Sequence, residues 1–251
     1  MRNRGLPAKL LVSLAVEALS SLACAQQQAL SAQPDSAAAF SGTLSATQAS
    51  PQRQAALEGL GTLAAHLPMP SSAGAQHRIF NVEDSRALRD ATIGSGFEMY
   101  LVDPRALLAG KRVGQSVYGS GEWRFIVMAH GKGVGLITVA RMSGKWTMVE
   151  AGASELADEL TSVSARYAQR VPAVQLRFVR CQQAVADFIE VSTPAAAASA
   201  TAPVYVPLAS ARVMLGHVDR AAVDSTLSDP ELSNTLRQSM RRGLGDPRFG
   251  H

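Results

Sequence analysis

Residues 122–130 read EWRFIVMAH, 134–141 read VGLITVAR and 145–150 read KWTMVE, with GKG at 131–133 and MSG at 142–144 between them. Both tryptophans of the chain, Trp123 and Trp146, fall in this stretch. The alternation has a period of two, which is the signature of strands. Each interruption carries glycine where a tight hairpin needs positive φ. The reading is a three-stranded antiparallel meander. Trp123, Phe125, Val127 and Ala129 form one face of its first strand. Arg124, Ile126, Met128 and His130 form the other, itself half apolar. In the second strand Val134, Leu136, Thr138 and Ala140 alternate with Gly135, Ile137, Val139 and Arg141. A sheet apolar on both faces is covered on both, or keeps one face for a ligand. On this basis Ile126, Met128, Ile137 and Val139 are grouped as a candidate ligand-binding surface opposite Trp123 and Phe125.

Downstream, the spacing predicts a helix over Ser154–Ala168. Leu156, Leu160, Val163 and Tyr167 recur at steps of four, three and four. Glu155, Asp158 and Glu159 lie early and Arg166 lies late, as the helix dipole favours. Strands are expected at Val174–Cys181 and Ala184–Val191, with a helix over Gln182–Ile189 as a competitor to the second. Apolar character resumes at Val204–Pro207. A short helix then runs over Leu208–Leu215, and weaker helices follow at Arg220–Leu227 and Pro230–Arg242. Upstream, Asn81 suits an N-cap for a helix over Val82–Thr92, ended by Gly94-Ser95-Gly96. Phe97–Val102 alternates as a strand, Asp103-Pro104 opens a short helix, and Lys111–Gly121 reads as a glycine-rich loop. The fold class is therefore α+β: an antiparallel β-meander of about five to six strands, covered by one long amphipathic helix plus shorter helices.

The chain divides by composition. Arg2, Arg4 and Lys9 precede an apolar run from Leu10, interrupted by Glu17, and Ala23-Cys24-Ala25 offers a small-residue cleavage site. Residues 1–25 thus read as a signal peptide, and the chain as a periplasmic or secreted protein. Cys24 also raises lipoprotein processing, which would bring the chain to a membrane; Ser21 stands where a branched aliphatic residue is usual. Residues 26–76 are rich in Ala, Ser, Gln and Pro and read as a disordered linker. The exception is Gln52–Leu67, where Ala56, Leu57, Leu60, Leu63 and Ala64 keep helical spacing. Residues 77–216 form the α+β domain and 217–251 a polar, partly helical tail.

The totals bound the function. The formal charge is +4, and half of it belongs to residues 1–25, so the basic balance does not indicate nucleic acid. The two cysteines, Cys24 and Cys181, exclude a disulfide scaffold. The five histidines (His66, His77, His130, His217 and His251) show no metal-ligand spacing. Neither a metal nor a cofactor is implied. Gly131-x-Gly133-x-Gly135 lacks the following helix that a phosphate loop needs. Ser95 and Ser120, each between glycines, lack the strand–turn–helix context of a nucleophile elbow. Cys181 with His130 is the remaining catalytic candidate, a thiol–imidazole pair if the fold joins them. Arg237, Arg241, Arg242 and Arg248 make a basic C-terminal segment of the kind that touches acidic lipid, lipopolysaccharide or nucleic acid, but it has no interleaved aromatics and is diluted by Asp229, Glu231 and Asp246, so it reads as a solvated tail.

The leading expectation is a non-enzymatic binding or accessory module of the cell envelope, acting on an unidentified protein or small-molecule ligand. The alternatives are a hydrolase or transferase using Cys181 and His130, and a cytoplasmic nucleic-acid binder acting through basic termini.

Overall fold

The computed structural model describes residues 39–40, 49–66, 80–82, 85–168, 174–193, 202–216 and 225–244, all within one compact unit, Ala37–His251. The expected signal peptide and most of the expected linker lie outside the described residues. The strands are β1 (Ala39–Phe40), β2 (Thr92–Val102), β3 (Val117–Ala129), β4 (Lys132–Met142), β5 (Lys145–Gly152), β6 (Gln175–Cys181), β7 (Ala186–Ser192), β8 (Val204–Pro207) and β9 (Leu227–Ser228). The helices are α1 (Pro51–His66), α2 (Ser85–Arg89), α3 (Pro104–Leu108), α4 (Ser154–Ala168), α5 (Ala209–Met214) and α6 (Asp229–Leu244).

Eight strands line up as β5-β4-β3-β2-β6-β7-β8-β9, and the two-residue β1 pairs with β6 beside them. The expected meander is present as β3-β4-β5 and is extended by β2, all antiparallel. Strands β6 to β9 form a second antiparallel ladder. The two ladders meet at a parallel seam, where Met99, Tyr100 and Leu101 face Phe178, Val179 and Arg180. An antiparallel sheet of about five to six strands is thus corrected to a mixed, mostly antiparallel sheet of eight. The seam depends on α4 returning the chain from β5 to the middle of the sheet, a long-range event that local periodicity does not carry.

Local expectations hold where side-chain chemistry is local. Helix α4 spans Ser154–Ala168 with Ala157, Leu160, Val163 and Tyr167 buried. At α3, Asp103 caps the helix by accepting the Arg105 N–H at 2.9 Å, and Pro104 takes the first turn. The two hairpin turns, His130-Gly131 and Ser143-Gly144, have positive φ at both positions, as two-residue turns require. The competing helix over Gln182–Ile189 gives way to a turn and β7.

Other expectations change. Of the helix expected over Val82–Thr92, the described residues are helical over the short α2 alone, and Gly94-Ser95-Gly96 lies inside β2, at a register irregularity. The glycine there serves contact: a Cβ on Gly96 would lie 2.3 Å from the Phe125 ring. The expected loop 111–121 becomes a 3-10 turn (Val113–Gln115) and the start of β3. Of the helix expected over Arg220–Leu227, the described end is coil and then β9.

Register decides which residues share a face, because directly opposed residues point the same way. Phe125 opposes Ile137, Trp123 opposes Val139, and Ile126 opposes Leu136. One face therefore carries Phe97, Met99, Ile126, Leu136, Leu176, Phe178 and Ile189, packed under α4. The other carries Phe125, Val127, Ile137 and Val139, packed with Ala55, Ala56 and Leu60 of α1 and with Phe80 and Leu88. Further along this second face, Val179, Cys181, Phe188 and Tyr205 pack with Leu107 of α3 and with Leu232, Leu236 and Met240 of α6.

Candidate functional site

The apolar group Ile126, Met128, Ile137 and Val139 does not form one surface. Ile126 and Met128 belong to the α4 side, while Ile137 and Val139 belong to the α1 side. Grouping them assumed a register one residue out, and a one-residue slip exchanges the faces. Ile126 is 6% exposed, and Ile137 and Val139 are fully buried. The question of what covers the second face has an answer inside the chain: α1, from the segment read as linker.

Cys181 and His130 are not brought together. Val127, near the His130 end of β3, pairs with Ile93 at the start of β2, whereas Arg180 pairs with Leu101 at its end. The two side chains sit at opposite ends of the sheet, on the order of 30 Å apart at roughly 3.3 Å per residue. Cys181 is fully buried, and burial pushes its thiol above the ordinary value, against thiolate formation. His130 is exposed and holds the left-handed first position of its turn. The arrangement lacks the base-to-nucleophile contact that covalent catalysis needs.

Three other constellations carry polar chemistry. On the α4 face, beyond the apolar cluster, Arg124 and Arg180 lie at 5.7 and 5.8 Å from the Phe178 ring centroid. Arg180 is bidentate to Asp187, at 2.7 and 2.9 Å, and that bond raises its pKa. Arg124 has only a loose ion pair, 3.6 Å to the exposed Glu150, and its Nε is buried without a hydrogen-bond partner. Burial, and then Arg180, lower the Arg124 pKa. Glu122 and Asp187 also act on Arg124, so with Glu150 three carboxylates face two guanidiniums and the cluster does not favour an added anion.

On the opposite face Glu190 is buried. It accepts from Arg177 Nη2 at 2.6 Å on both oxygens and from Tyr205 Oη at 3.0 Å. Arg177 lies over the Tyr100 ring at 5.0 Å. Burial, then Glu190 and Asp229, push the Tyr205 phenol well above its usual value. Every strong group here is paired with another of the same chain, which makes it a structural network.

The third constellation lies on α6. The helix expected over Pro230–Arg242 is present as α6, docked on the sheet, and its outward side presents Arg237, Arg241 and Arg242 beside Asn234 and Gln238; Arg248 lies outside the described residues. The helix start was legible: Ser228-x-x-Glu231 is a capping box. Ser228 N donates to Glu231 at 2.8 Å and Ser228 Oγ donates to the same oxygen at 2.6 Å. The apolar repeat Leu232, Leu236, Met240 marks the buried stripe.

Among the described residues no group of three or more His, Cys, Asp or Glu is placed to hold a metal ion. No described helix is long and apolar enough to cross a membrane. Comparison with protein-family models, curated proteins and solved structures finds no match to this chain.

Proposed function

We propose that this chain is an exported, non-catalytic binding or accessory module of the cell envelope. The observation that carries the reading is the closure of the sheet. Helix α4 covers one face, and α1 and α6 cover the other, so binding falls to the outer surfaces of helices and hairpins rather than to an interior cavity. The sequence adds the basic head, apolar run and small-residue site of residues 1–25. The separation of Cys181 from His130, and the burial of the thiol, weigh against the hydrolase or transferase reading.

Two measurements test this. Mass spectrometry of the protein recovered from its native cells is expected to find a mature N-terminus at Gln26. A chain retaining Met1 in the cytosolic fraction overturns the export half. Alkylation of the native protein is expected to leave Cys181 unmodified until denaturant is added. Rapid modification of the folded chain, with loss of an activity, overturns the non-catalytic half.

A further inference from the structure

The geometry points to the outer stripe of α6 as a docking surface for a phosphate-rich anionic lipid bilayer. Asn234, Arg237, Gln238, Arg241 and Arg242 recur at steps of three, one, three and one, so they share one side of the helix over a little more than two turns. Together they line an open groove of about 380 Å³. The opposite stripe, Leu232, Leu236 and Met240, is buried in the core, so the helix cannot rotate to hide its basic side. The sheet holds the stripe in place.

The chemistry of the stripe is one-sided. Arg237 is fixed along the helix by its bonds to Ser233 O at 3.0 Å and Asn234 Oδ1 at 2.9 Å. Arg241 and Arg242 are exposed, with no ion-pair partner among the described residues. The acids of α6 are committed elsewhere. Asp229 accepts from Gly114 N and Ser233 Oγ, and Glu231 serves the cap at Ser228. Among the described residues no carboxylate lines the groove. Arginines in a last turn also suit the helix dipole, but that effect ends within the turn. It does not account for Arg237 and the two amides a turn earlier. A lining of three guanidiniums and two amides favours ligands that present many acceptor oxygens and negative charge.

Among phosphate-bearing partners the bilayer fits better than nucleic acid. Duplex binders neutralise about 6–10 phosphates and single-strand binders stack bases on aromatic rings. Among the described residues this stripe has three cations and no aromatic residue. A flat headgroup layer asks only for a row of cations on one side. Each arginine near an anionic surface is worth roughly a fivefold gain in partitioning, so three give about a hundredfold. This route does not involve Cys24.

The inference rests on the reading of the chain as a binding module. The test is co-sedimentation of the full chain with phosphatidylcholine vesicles containing about 40 mol% phosphatidylglycerol, beside pure phosphatidylcholine vesicles. Expected is a preference for the anionic vesicles of about a hundredfold, abolished near 0.5 M salt, roughly where screening shortens to a few ångströms. The double variant Arg241→Gln/Arg242→Gln is expected to lose roughly 30-fold while keeping the native circular dichroism and melting curve, because both side chains are exposed. Equal binding to both vesicle types, or a double variant that binds like the native chain, overturns the inference. So does tighter binding to a duplex oligonucleotide than to vesicles at equal phosphate. Neither the N-terminus nor the thiol measurement involves α6, so a failure here leaves the broader reading to stand or fall separately.

Discussion

Glu190 shows how a single residue is fixed by its neighbours across the sheet. Arg177, Glu190 and Tyr205 occupy one row on β6, β7 and β8. The carboxylate is nearly inaccessible and takes three hydrogen bonds from the two flanking side chains. Removing it strands a guanidinium whose Nε is already buried without a partner. Glu190→Leu is therefore expected to cost about 3–5 kcal/mol in urea denaturation, and Tyr205→Phe about 1–2 kcal/mol. A loss below 1 kcal/mol for Glu190→Leu, roughly the scale of an exposed pair, would mean that solvent supports the row. Tyr205 also sets a pH dependence. Its phenol is raised in the folded state above the ordinary 10.0. The proton is held where the unfolded chain releases it, so this contribution is complete below pH 10 and falls away as pH rises beyond it. Tyr205→Phe should flatten that alkaline limb. None of the three residues stands out in the sequence. Each is an ordinary member of an alternating strand, and only the register between strands makes them a unit.

At the scale of elements, α1 was visible but its role was not. Its extent was legible to within a residue or so, because Pro51 starts it and Pro68 follows it. Its docking was not, because its inward face is mostly small: Ala55, Ala56 and Gly59 are buried with Leu60, and Leu63 and Ala64 pack half-buried beside them. Such a face scores as spacer by composition, yet small residues are what allow a helix to lie close on a sheet. The close point is Gly59, where a Cβ would fall 2.6 Å from Met148 Sδ and 2.8 Å from Met148 Cβ. Arg53 reinforces the contact by donating to the Ile93 and Gly94 carbonyls of β2. Gly59→Ala must push the helix outward, since the β-carbon it meets cannot rotate away, and is expected to cost about 1–3 kcal/mol. Gly61→Ala, which meets nothing within 4 Å, is expected to gain up to about 1 kcal/mol from helix propensity alone. Thermal melts of the two variants should move in opposite directions. Equal stabilisation of both would show that α1 does not rest on β5. Helix α4, by contrast, was legible from end to end, because large apolar residues at helical spacing and graded end charges are all local signals.

At the scale of the molecule, the meander proposes a fold but leaves it open on one side, and the closing pieces come from both ends of the chain. Helix α1 lies before the meander and α6 well after it, and they cover adjacent parts of the same face. A candidate ligand surface was inferred from an apolar face with no visible cover; the cover was missed because it is poor in large apolar residues. This makes a prediction about where the folding unit begins. A chain starting at Ala37 keeps β1 and α1 and should unfold cooperatively with a midpoint close to that of the full chain. A chain starting at residue 67 loses α1 and uncovers Phe125, Val127, Ile137 and Val139. At roughly 25 cal/mol per Å² of apolar surface, and with Leu60, two alanines and the facing side chains all re-exposed, the loss is several kcal/mol, a large part of a typical domain's stability. The shorter chain should therefore melt lower and with less cooperativity, and bind a hydrophobic dye such as ANS that the longer one excludes. If both chains melt alike and neither binds the dye, α1 is an accessory to the sheet and not its second cover. The face beneath it would then return as a candidate binding surface.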